Sequence, residues 1–470
     1  MPCTTDILPL AANYVPPVWS LLPFAALLLA IAVLPLIGHC HHFWERNRNK
    51  LLVALALSVP VLLYYGLVHP GMAGHDAEPH AARTGGALLL HVLSSALLEE
   101  YLPFIVLLFS LYTISGGIQL RGDLPAHPGM NTTFLAIGAV LASLIGTTGA
   151  AMLLIRPLLQ TNAERRHARH TVIFFIFIVC NTGGLLLPTG DPPLFLGYLR
   201  GVPFLWTTGL WPEWLLVNGL LLAIYYFWDR RAYRHEAVRD LVRDETHIQP
   251  LQLRGRVNLL YLLGVVLAVA TLVPGKEFIL LSGVVVPDHV REIVILALVG
   301  LSMLTTPRGL RKENGFTFAA IGEVAALFLG IFITMQPPIE MLHVKGPALG
   351  LLQPWQFFWA TGSLSSFLDN APTYVVFFET ASALTPSQEP GTLALVTGGF
   401  IRQDLLVAIS LGAVFMGAMT YIGNGPNFMV KAVAQERGVK MPSFLGYMVY
   451  SVLVLIPVFV LVTFVFLLWR

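Results

Sequence analysis

The sequence predicts an all-α membrane protein that is built from two related halves. Hydrophobic residues make up 56% of the 470 residues and charged residues only 11%, and the mean hydropathy of +0.72 excludes a soluble globular chain. Several apolar stretches reach the roughly 20 residues that a helix needs to cross a bilayer. Each half also contains an apolar segment interrupted by small polar residues, followed by a helical stretch that Gly and Pro break in the middle.

About ten membrane-spanning helices are expected from the apolar stretches. They are placed at residues 16–38, 50–68, 88–118, 171–199, 211–229, 257–275, 290–306, 316–336, 402–434 and 445–469. The first has no basic segment before it and is longer than the apolar region of a signal peptide, so we expect it to be retained.

Two further apolar stretches, 131–159 and 354–382, are predicted to be re-entrant hairpins because of the distribution of charge. If the first of them crossed the membrane, the basic loop 164–169 would lie on the opposite side from Arg121 and from the basic loop 46–50. If it enters and leaves on one side, all these loops lie in the cytoplasm, as the positive-inside rule requires. Hairpin arms of about 13 residues reach only about 20 Å, so each turn is expected near the middle of the membrane.

The two halves are expected to be inverted repeats, since the first hairpin enters from the cytoplasm and the second from outside. Two sequence offsets relate them, 223 residues for the hairpins and 233 residues for the broken helices. The matched pairs are Glu100 with Glu323, Gly146 with Asp369, Gly190 with Gly423, and Asp191 with Asn424.

This organisation divides the chain into six parts. They are N-terminal helices (1–87), a first repeat (88–228), a basic linker (229–256), additional helices (257–315), a second repeat (316–445) and a C-terminal helix (446–470). The linker is the only long charged segment and is predicted to form a cytoplasmic helix that connects the halves.

The histidine and cysteine residues do not by themselves indicate a metal site or a disulfide framework. The histidines at two membrane edges either bind metal or sense pH, or are ordinary interfacial residues; they are His39, His41, His42, His69, His75 and His80. Cys3, Cys40 and Cys180 are scattered and form no disulfide framework or metal spacing. The net charge of +2 implies no nucleic-acid partner.

Polar residues at the interruptions are the candidate site. Irregular backbone at membrane depth is tolerated only around a cavity or binding site, and its occurrence in two matching halves is typical of secondary transporters. Asp191 in LPTGDPP and Asp369 in FLDNAPT are buried carboxylates that require a compensating role. Hard oxygen ligands for a small alkali cation are expected from Asn370, Thr373, Thr147, Thr148, Asn424 and Asn427.

Structural alternatives exist for each charged residue in this set. Asp191 or Asp369 could simply cap a helix. Glu99, Glu100 and Glu323 could be proton carriers, partners in charge pairs or interfacial anchors. Arg156 could be the counter-charge of a nearby carboxylate, or it could bind an anionic substrate.

Four segments resemble the ion transporter superfamily. They are LLEEYLPFIVLLFSLYTISGGI, IGTTGAAMLLIRPLL, SSFLDNAPTYVVF and IGNGPNFMVKAVAQERGVKMPSF. Together they cover about residues 88–445 and are most similar to the branch of arsenite permeases and NhaD-type sodium–proton antiporters, which also contains citrate transporters. The resemblance implies a homodimer, a transport domain that moves as an elevator, and discontinuous helices at the substrate site.

The resemblance also implies a binding site where both hairpin tips meet both helix breaks. By position, its residues are Gly146, Thr147, Thr148, Gly190, Asp191, Asp369, Asn370, Thr373, Gly423, Asn424 and Asn427. Sodium is expected at Asp369, Asn370, Thr147 and Asn424. Dicarboxylate carriers of the superfamily have Ser-Asn-Thr at both tips, whereas this chain has Gly-Thr-Thr-Gly and Asp-Asn-Ala-Pro, which favours cation exchange.

We therefore expect an antiporter that exchanges sodium or lithium for protons in the bacterial inner membrane. Its partners would be the lipid bilayer, a small inorganic cation or small organic anion, and a second copy of the chain, with Na⁺ as the transported or coupling ion and no cofactor. The alternative is a sodium- or proton-coupled carrier of citrate, a dicarboxylate or arsenite. An intramembrane aspartyl protease using Asp191 and Asp369 does not account for the repeated hairpins, and no zinc-protease, serine-hydrolase or phosphate-loop motif predicts an enzyme.

Overall fold

The computed structural model describes residues 14–37, 42–71, 84–239, 244, 246, 249–277, 283 and 285–468. Helices account for 72% of the structure. The strands of the described residues form two small two-stranded sheets. This confirms the predicted all-α membrane class.

The helices are numbered here in chain order. In the first half they are α1 (Leu22–Val33), α2 (Asn47–Leu63), α3 (Gly85–Ser94), α4 (Leu102–Ser115), α5 (Pro128–Ile145), α6 (Thr147–Thr161), α7 (Arg169–Ile178), α8 (Pro192–Leu199) and α9 (Trp211–Tyr233). In the second half they are α10 (Val257–Thr271), α11 (Val290–Thr305), α12 (Leu310–Glu313), α13 (Ala319–Thr334), α14 (Gln336–Lys345), α15 (Pro354–Phe367), α16 (Asn370–Ala383), α17 (Gln403–Met416), α18 (Gly425–Glu436) and α19 (Phe444–Val462). The strands are β1 (Gln119–Asp123), β2 (Gln249–Arg254), β3 (Thr392–Ala394) and β4 (Phe400–Arg402).

Five helical segments among the described residues are long and apolar enough to cross a membrane. They are Asn47–Val68, Gly85–Ser115, Pro128–Ile145, Trp206–Tyr233 and Phe444–Leu467. A sixth is formed by Ala319–Thr334 and Gln336–Leu349, which bend by 42° where they meet. Shorter apolar helices lie where four of the other crossings are predicted, namely Val18–Val33, Arg169–Leu185, Val257–Thr271 and Gln403–Met419.

The first hairpin consists of α5 and α6, which turn at Gly146. This residue has φ 83° and ψ 149°, a conformation that favours glycine because it lacks a Cβ atom. The two arms are antiparallel neighbours, since a Cβ at Gly138 of α5 would lie 3.1 Å from Leu154 of α6. The arms contain 18 and 15 residues, so the expected length of about 13 is wrong here. The first arm is longer because the helix begins at Pro128, whose fixed φ suits the first turn.

The second hairpin consists of α15 and α16, each with 14 residues, close to the predicted length. A capping box formed by Gln353 and Gln356 begins the first arm. Leu368 and Asp369 make the turn in extended conformations. The rings of Phe357 and Phe377 meet across the arms at 6.2 Å.

Both broken helices have the same construction. In each, an α-helix is followed by a short 3-10 segment, Thr182–Leu185 or Gly417–Met419; in the first half the turn residues 179–181 come between them. The chain then becomes irregular, and a second helix begins with Pro in its first turn. The residues before the second helices, Asp191 and Asn424, have nearly identical backbones, with φ/ψ of −143°/143° and −152°/140°.

Contacts between hairpin and broken helix also recur in the two halves. Ser143 Oγ donates to the carbonyl of Gly183 at 2.5 Å, and Ser366 Oγ donates to the carbonyl of Met416 at 3.2 Å. The serines are 223 residues apart and the acceptors 233, which are the two offsets found in the sequence. The same type of contact therefore holds each hairpin against the broken helix of its own half.

The charged linker departs from the sequence prediction. Residues Gln249–Arg254 form strand β2, which pairs antiparallel with β1, so the predicted linker helix is wrong for this segment. Pro250 disfavours a helix interior, and Leu251 and Leu253 alternate with polar residues. Asp229, at the start of the predicted linker, lies inside α9, fully buried and 2.5 Å from Arg165. Residues 240–243, 245 and 247–248 lie outside the described residues.

Two of the predicted histidines are described, and both pair with carboxylates. His69 is buried and lies 2.8 Å from Glu340, whereas the exposed His42 lies 3.3 Å from Glu45. Among the described residues, no group of three or more His, Cys, Asp or Glu side chains could hold a metal ion. The remaining predictions of this kind lie outside the described residues: His39, His41, His75, His80, Cys3 and Cys40.

Candidate functional site

The Asp191 carboxylate lies where all four interrupted segments meet. The residue is 2% exposed and accepts three hydrogen bonds. Thr147 Oγ1 at the first hairpin tip donates to Oδ1 at 2.9 Å, and Asn424 Nδ2 at the second break donates to the same oxygen at 3.1 Å. Asn370 Nδ2 at the second hairpin tip donates to Oδ2 at 2.6 Å. These four residues are called the Asp191 cluster below.

The helix-cap alternative applies to Asp369 and not to Asp191. Asp191 occupies the position before α8, but its side chain makes no capping hydrogen bond. The Asp369 side chain accepts a bond of 3.1 Å from the backbone N–H of Ala371 and thereby caps α16. Asp369 is half-buried and directly precedes Asn370, whose amide bonds to Asp191.

Asn181 belongs to the site although the sequence analysis did not select it. Its Oδ1 accepts from Asn424 at 3.3 Å, and its Nδ2 donates to Asn427 Oδ1 at 2.8 Å. Asn427 in turn donates to the carbonyls of Gly417 and Thr420 at 2.9 Å each. Asn181 therefore ties the first break to the second. The available signal was a single amide between the apolar run of α7 and the Thr-Gly-Gly that follows it.

Glycines allow the backbones to approach at both breaks. The Gly190 carbonyl accepts from the N–H of Thr147 at 2.8 Å, which joins the first break to the first hairpin tip. A Cβ at Gly190 would lie 2.2 Å from the carbonyl oxygen of Gly184, and a Cβ at Gly423 would lie 2.6 Å from that of Gly417. Neither position can accept a side chain without a shift of backbone.

Three predicted ligands are not among the contacts of Asp191, namely Thr373, Thr148 and Asn427, and the last of these bonds to Asn181 and to two backbone carbonyls. The hydroxyl of Thr373 donates to the carbonyl of Asp369 at 3.0 Å, within its own helix. Thr148 is half-buried beside Thr147 at the start of α6. The predicted sodium ligands are thus divided: Thr147, Asn370 and Asn424 contact the Asp191 carboxylate, whereas Asp369 caps a helix.

The other predicted charges lie in separate contacts. Glu323 is 2.6 Å from Lys50 of α2, and the exposed Glu99 accepts from Ser95 at 2.9 Å. The Arg156 side chain lies against Gly315, and its Nε is buried without a hydrogen-bond partner in the described part of the chain. No carboxylate of the described residues lies within salt-bridge distance of Arg156. The predicted counter-charge role therefore has no direct partner there.

Glu100 belongs to a network centred on Arg200. Arg200 lies 3.1 Å from Glu100 and 2.8 Å from Glu379, and His343 lies 2.8 Å from the other oxygen of Glu379. The network joins the end of α8 to α14, to the second arm of hairpin 2 and to the segment between α3 and α4. Glu379 therefore has two partners in this network, Arg200 and His343.

The Asp191 cluster has the chemistry of a site for a small cation or a proton. The neighbours of the carboxylate are a hydroxyl and two amides, and no Lys, Arg or His of the described residues bonds to it. Asn370 Oδ1 is buried without a hydrogen-bond partner in this part of the chain. Carboxylate, hydroxyl and amide oxygens are the ligands that hard cations prefer.

The apolar helices and the family match together indicate a multi-pass membrane transporter. The chain belongs to the family described as "Putative citrate transport", whose model matches residues 13–467. This confirms the resemblance to the ion transporter superfamily over nearly the whole chain. No curated protein matches the chain.

Proposed function

We propose that the protein exchanges sodium or lithium for protons, with Asp191 as the group that binds either the cation or the proton. One observation carries this proposal. A buried carboxylate at the junction of both hairpins and both breaks has only neutral hydrogen-bond donors among the described residues. An isolated buried charge is costly, so a bound cation or proton is needed to neutralise it.

Competition at one carboxylate is sufficient for exchange. A cation held by Asp191 excludes the proton, and a protonated Asp191 loses a charged ligand for the cation. Asn370 Oδ1 and Thr147 Oγ1 are available beside the carboxylate as further oxygen ligands. Sodium or lithium is the substrate here, and the mechanism requires no organic cofactor.

A second candidate function is cation-coupled transport of citrate or a related anion. The family description favours it, and so does the position of four helix N-termini. Helices α6, α8, α16 and α18 each begin within one residue of a member of the Asp191 cluster. Helix N-termini attract anions, whereas the Asp191 carboxylate repels them unless it is neutralised.

The remaining parts of the proposal rest on the family resemblance. We include alternating access by an elevator motion in which the two inverted repeats contribute their hairpins and breaks to the moving unit. We also include a homodimer in the bacterial inner membrane. The contacts of each hairpin with its own broken helix, together with the bonds from Asn370 and Asn424 of the second half to Asp191 of the first, support movement of the four segments as one body.

Proteoliposomes with an imposed pH gradient test the exchange. Addition of sodium outside should drive proton flux in the wild type and none in Asp191→Asn. Asp404→Asn is the matched control, since Asp404 lies in a half-exposed ion pair with Arg402. Uptake of labelled citrate in the same vesicles separates the candidates, because citrate uptake without sodium-driven proton flux would replace exchange by the second function.

A further inference from the structure

A long apolar groove lies between α9 and α19. It has a volume of about 670 Å³, within the range of roughly 300–1,000 Å³ that is usual for ligand pockets. Its walls include Leu220 and Ile224 of α9 and Leu453 and Leu461 of α19, with Trp228 and Tyr450 at one end.

The groove has the length of one membrane leaflet. Its wall residues on α19 extend from position 449 to position 461, which is about 18 Å of helix at 1.5 Å per residue. Half of a hydrocarbon core of about 30 Å is about 15 Å. The rings of Trp228 and Tyr450 are 6.0 Å apart and mark the end of the groove near the charged terminus of α9. Such aromatic residues are typical of the membrane–water interface.

A positive charge lies directly beyond the aromatic end. Arg231 follows Ile224 and Trp228 at spacings of seven and three residues, so it lies on the same face of α9. Arg231 is exposed, and no carboxylate of the described residues lies within salt-bridge distance of it. Asp229, two residues before Arg231, is buried and bonded to Arg165, so it does not neutralise this end of the groove.

We propose that the groove binds one acyl chain of an anionic phospholipid whose phosphate pairs with Arg231. The apolar walls of the groove contact the acyl chain and separate it from the surrounding lipids. A guanidinium group binds phosphate through paired, charge-assisted hydrogen bonds. This site is independent of the proposed exchange, because it shares no residue with the Asp191 cluster. A second copy of the chain is the alternative occupant of the groove.

Native mass spectrometry of the detergent-purified protein tests the proposal with phosphatidylglycerol and with diacylglycerol of identical chains, which lacks the phosphate. A charge-assisted hydrogen bond contributes about 1.5–3 kcal/mol, so the wild type should retain phosphatidylglycerol about tenfold better or more. Arg231→Gln should reduce this preference to about onefold. Arg230→Gln is the matched control, because this exposed residue is rotated by about 100° from Arg231.

A second variant tests the apolar part of the site. Leu453→Trp, which fills the groove, should reduce retention of both lipids, whereas Leu445→Trp on the same helix outside the groove should not. Equal retention of the two lipids by the wild type would overturn the proposal, as would an equal effect of the two arginine variants. Dissociation of a dimer in Leu453→Trp with unchanged lipid retention would assign the groove to a second copy instead.

Discussion

Two substitutions of Asp191 separate its charge from its role as a hydrogen-bond acceptor. In Asp191→Asn, the side-chain oxygen can keep the bonds from Thr147 and Asn424. In the wild type, Asn370 Nδ2 donates to Asp191 Oδ2 at 2.6 Å. In the variant an amide nitrogen takes the place of this oxygen, so two donors face each other. Rotation of the Asn370 amide resolves this conflict, since its buried Oδ1 has no other partner among the described residues.

The expected magnitudes of the two effects differ. Asp191→Ala leaves two buried donors, Thr147 Oγ1 and Asn370 Nδ2, without an acceptor, each at a cost of about 1–3 kcal/mol, so the free energy of unfolding should fall by about 2–6 kcal/mol. Asn424 Nδ2 keeps the carbonyl of Cys180 and Asn181 Oδ1 as acceptors. Asp191→Asn leaves only the rotated Asn370 Nδ2 without an acceptor and also removes a buried charge, so its free energy of unfolding should fall by no more than about 1–3 kcal/mol.

Thermal unfolding of the purified protein, with sodium chloride or choline chloride, measures both effects. Sodium at about 100 times its dissociation constant should stabilise the wild type by about 2.7 kcal/mol and should stabilise neither variant. An Asn variant as unstable as the Ala variant would contradict the hydrogen-bond assignment. An Asn variant with the full sodium response would show that the cation binds elsewhere.

Two further predictions concern backbone packing and ion pairing. Gly423→Ala should fail to yield folded protein, because its Cβ would lie 2.6 Å from a backbone carbonyl, whereas Gly425→Ala has open space and should purify normally; recovery in size-exclusion chromatography compares them. Arg200→Gln leaves Glu379 buried without its cationic partner and should lower the unfolding free energy by about 3–5 kcal/mol. Arg402→Gln, which breaks a half-exposed pair, should cost about 1 kcal/mol or less in the same thermal assay. Equal losses in the two arginine variants would contradict the assigned burial.

The interruptions of the helices can be predicted from sequence because their causes are local. Gly146 at a positive φ, and Pro192 after Asp191, disfavour a continuous helix wherever they occur. The predicted hairpin 354–382 therefore begins at Pro354, as expected, and its second helix ends at Ala383, one residue later than expected. The predicted linker helix is wrong because β2 is stabilised by pairing with β1, a distant segment that gives no local signal.

The contacts within the site could not be predicted in the same way. Asn370 and Asp191 are 179 residues apart, as are Arg200 and Glu379, and no local pattern specifies such a pair. For the same reason the sequence left the capping role open between Asp191 and Asp369. Only the surroundings in three dimensions distinguish the acceptor of three long-range bonds from the residue that caps its own helix.

Proton release on sodium binding tests the central claim most directly. Purified protein in weakly buffered detergent solution, mixed with sodium chloride, should release protons as the cation displaces them from Asp191, and Asp191→Asn should release none. Sodium binding by the wild type without any release of protons would contradict exchange at this carboxylate.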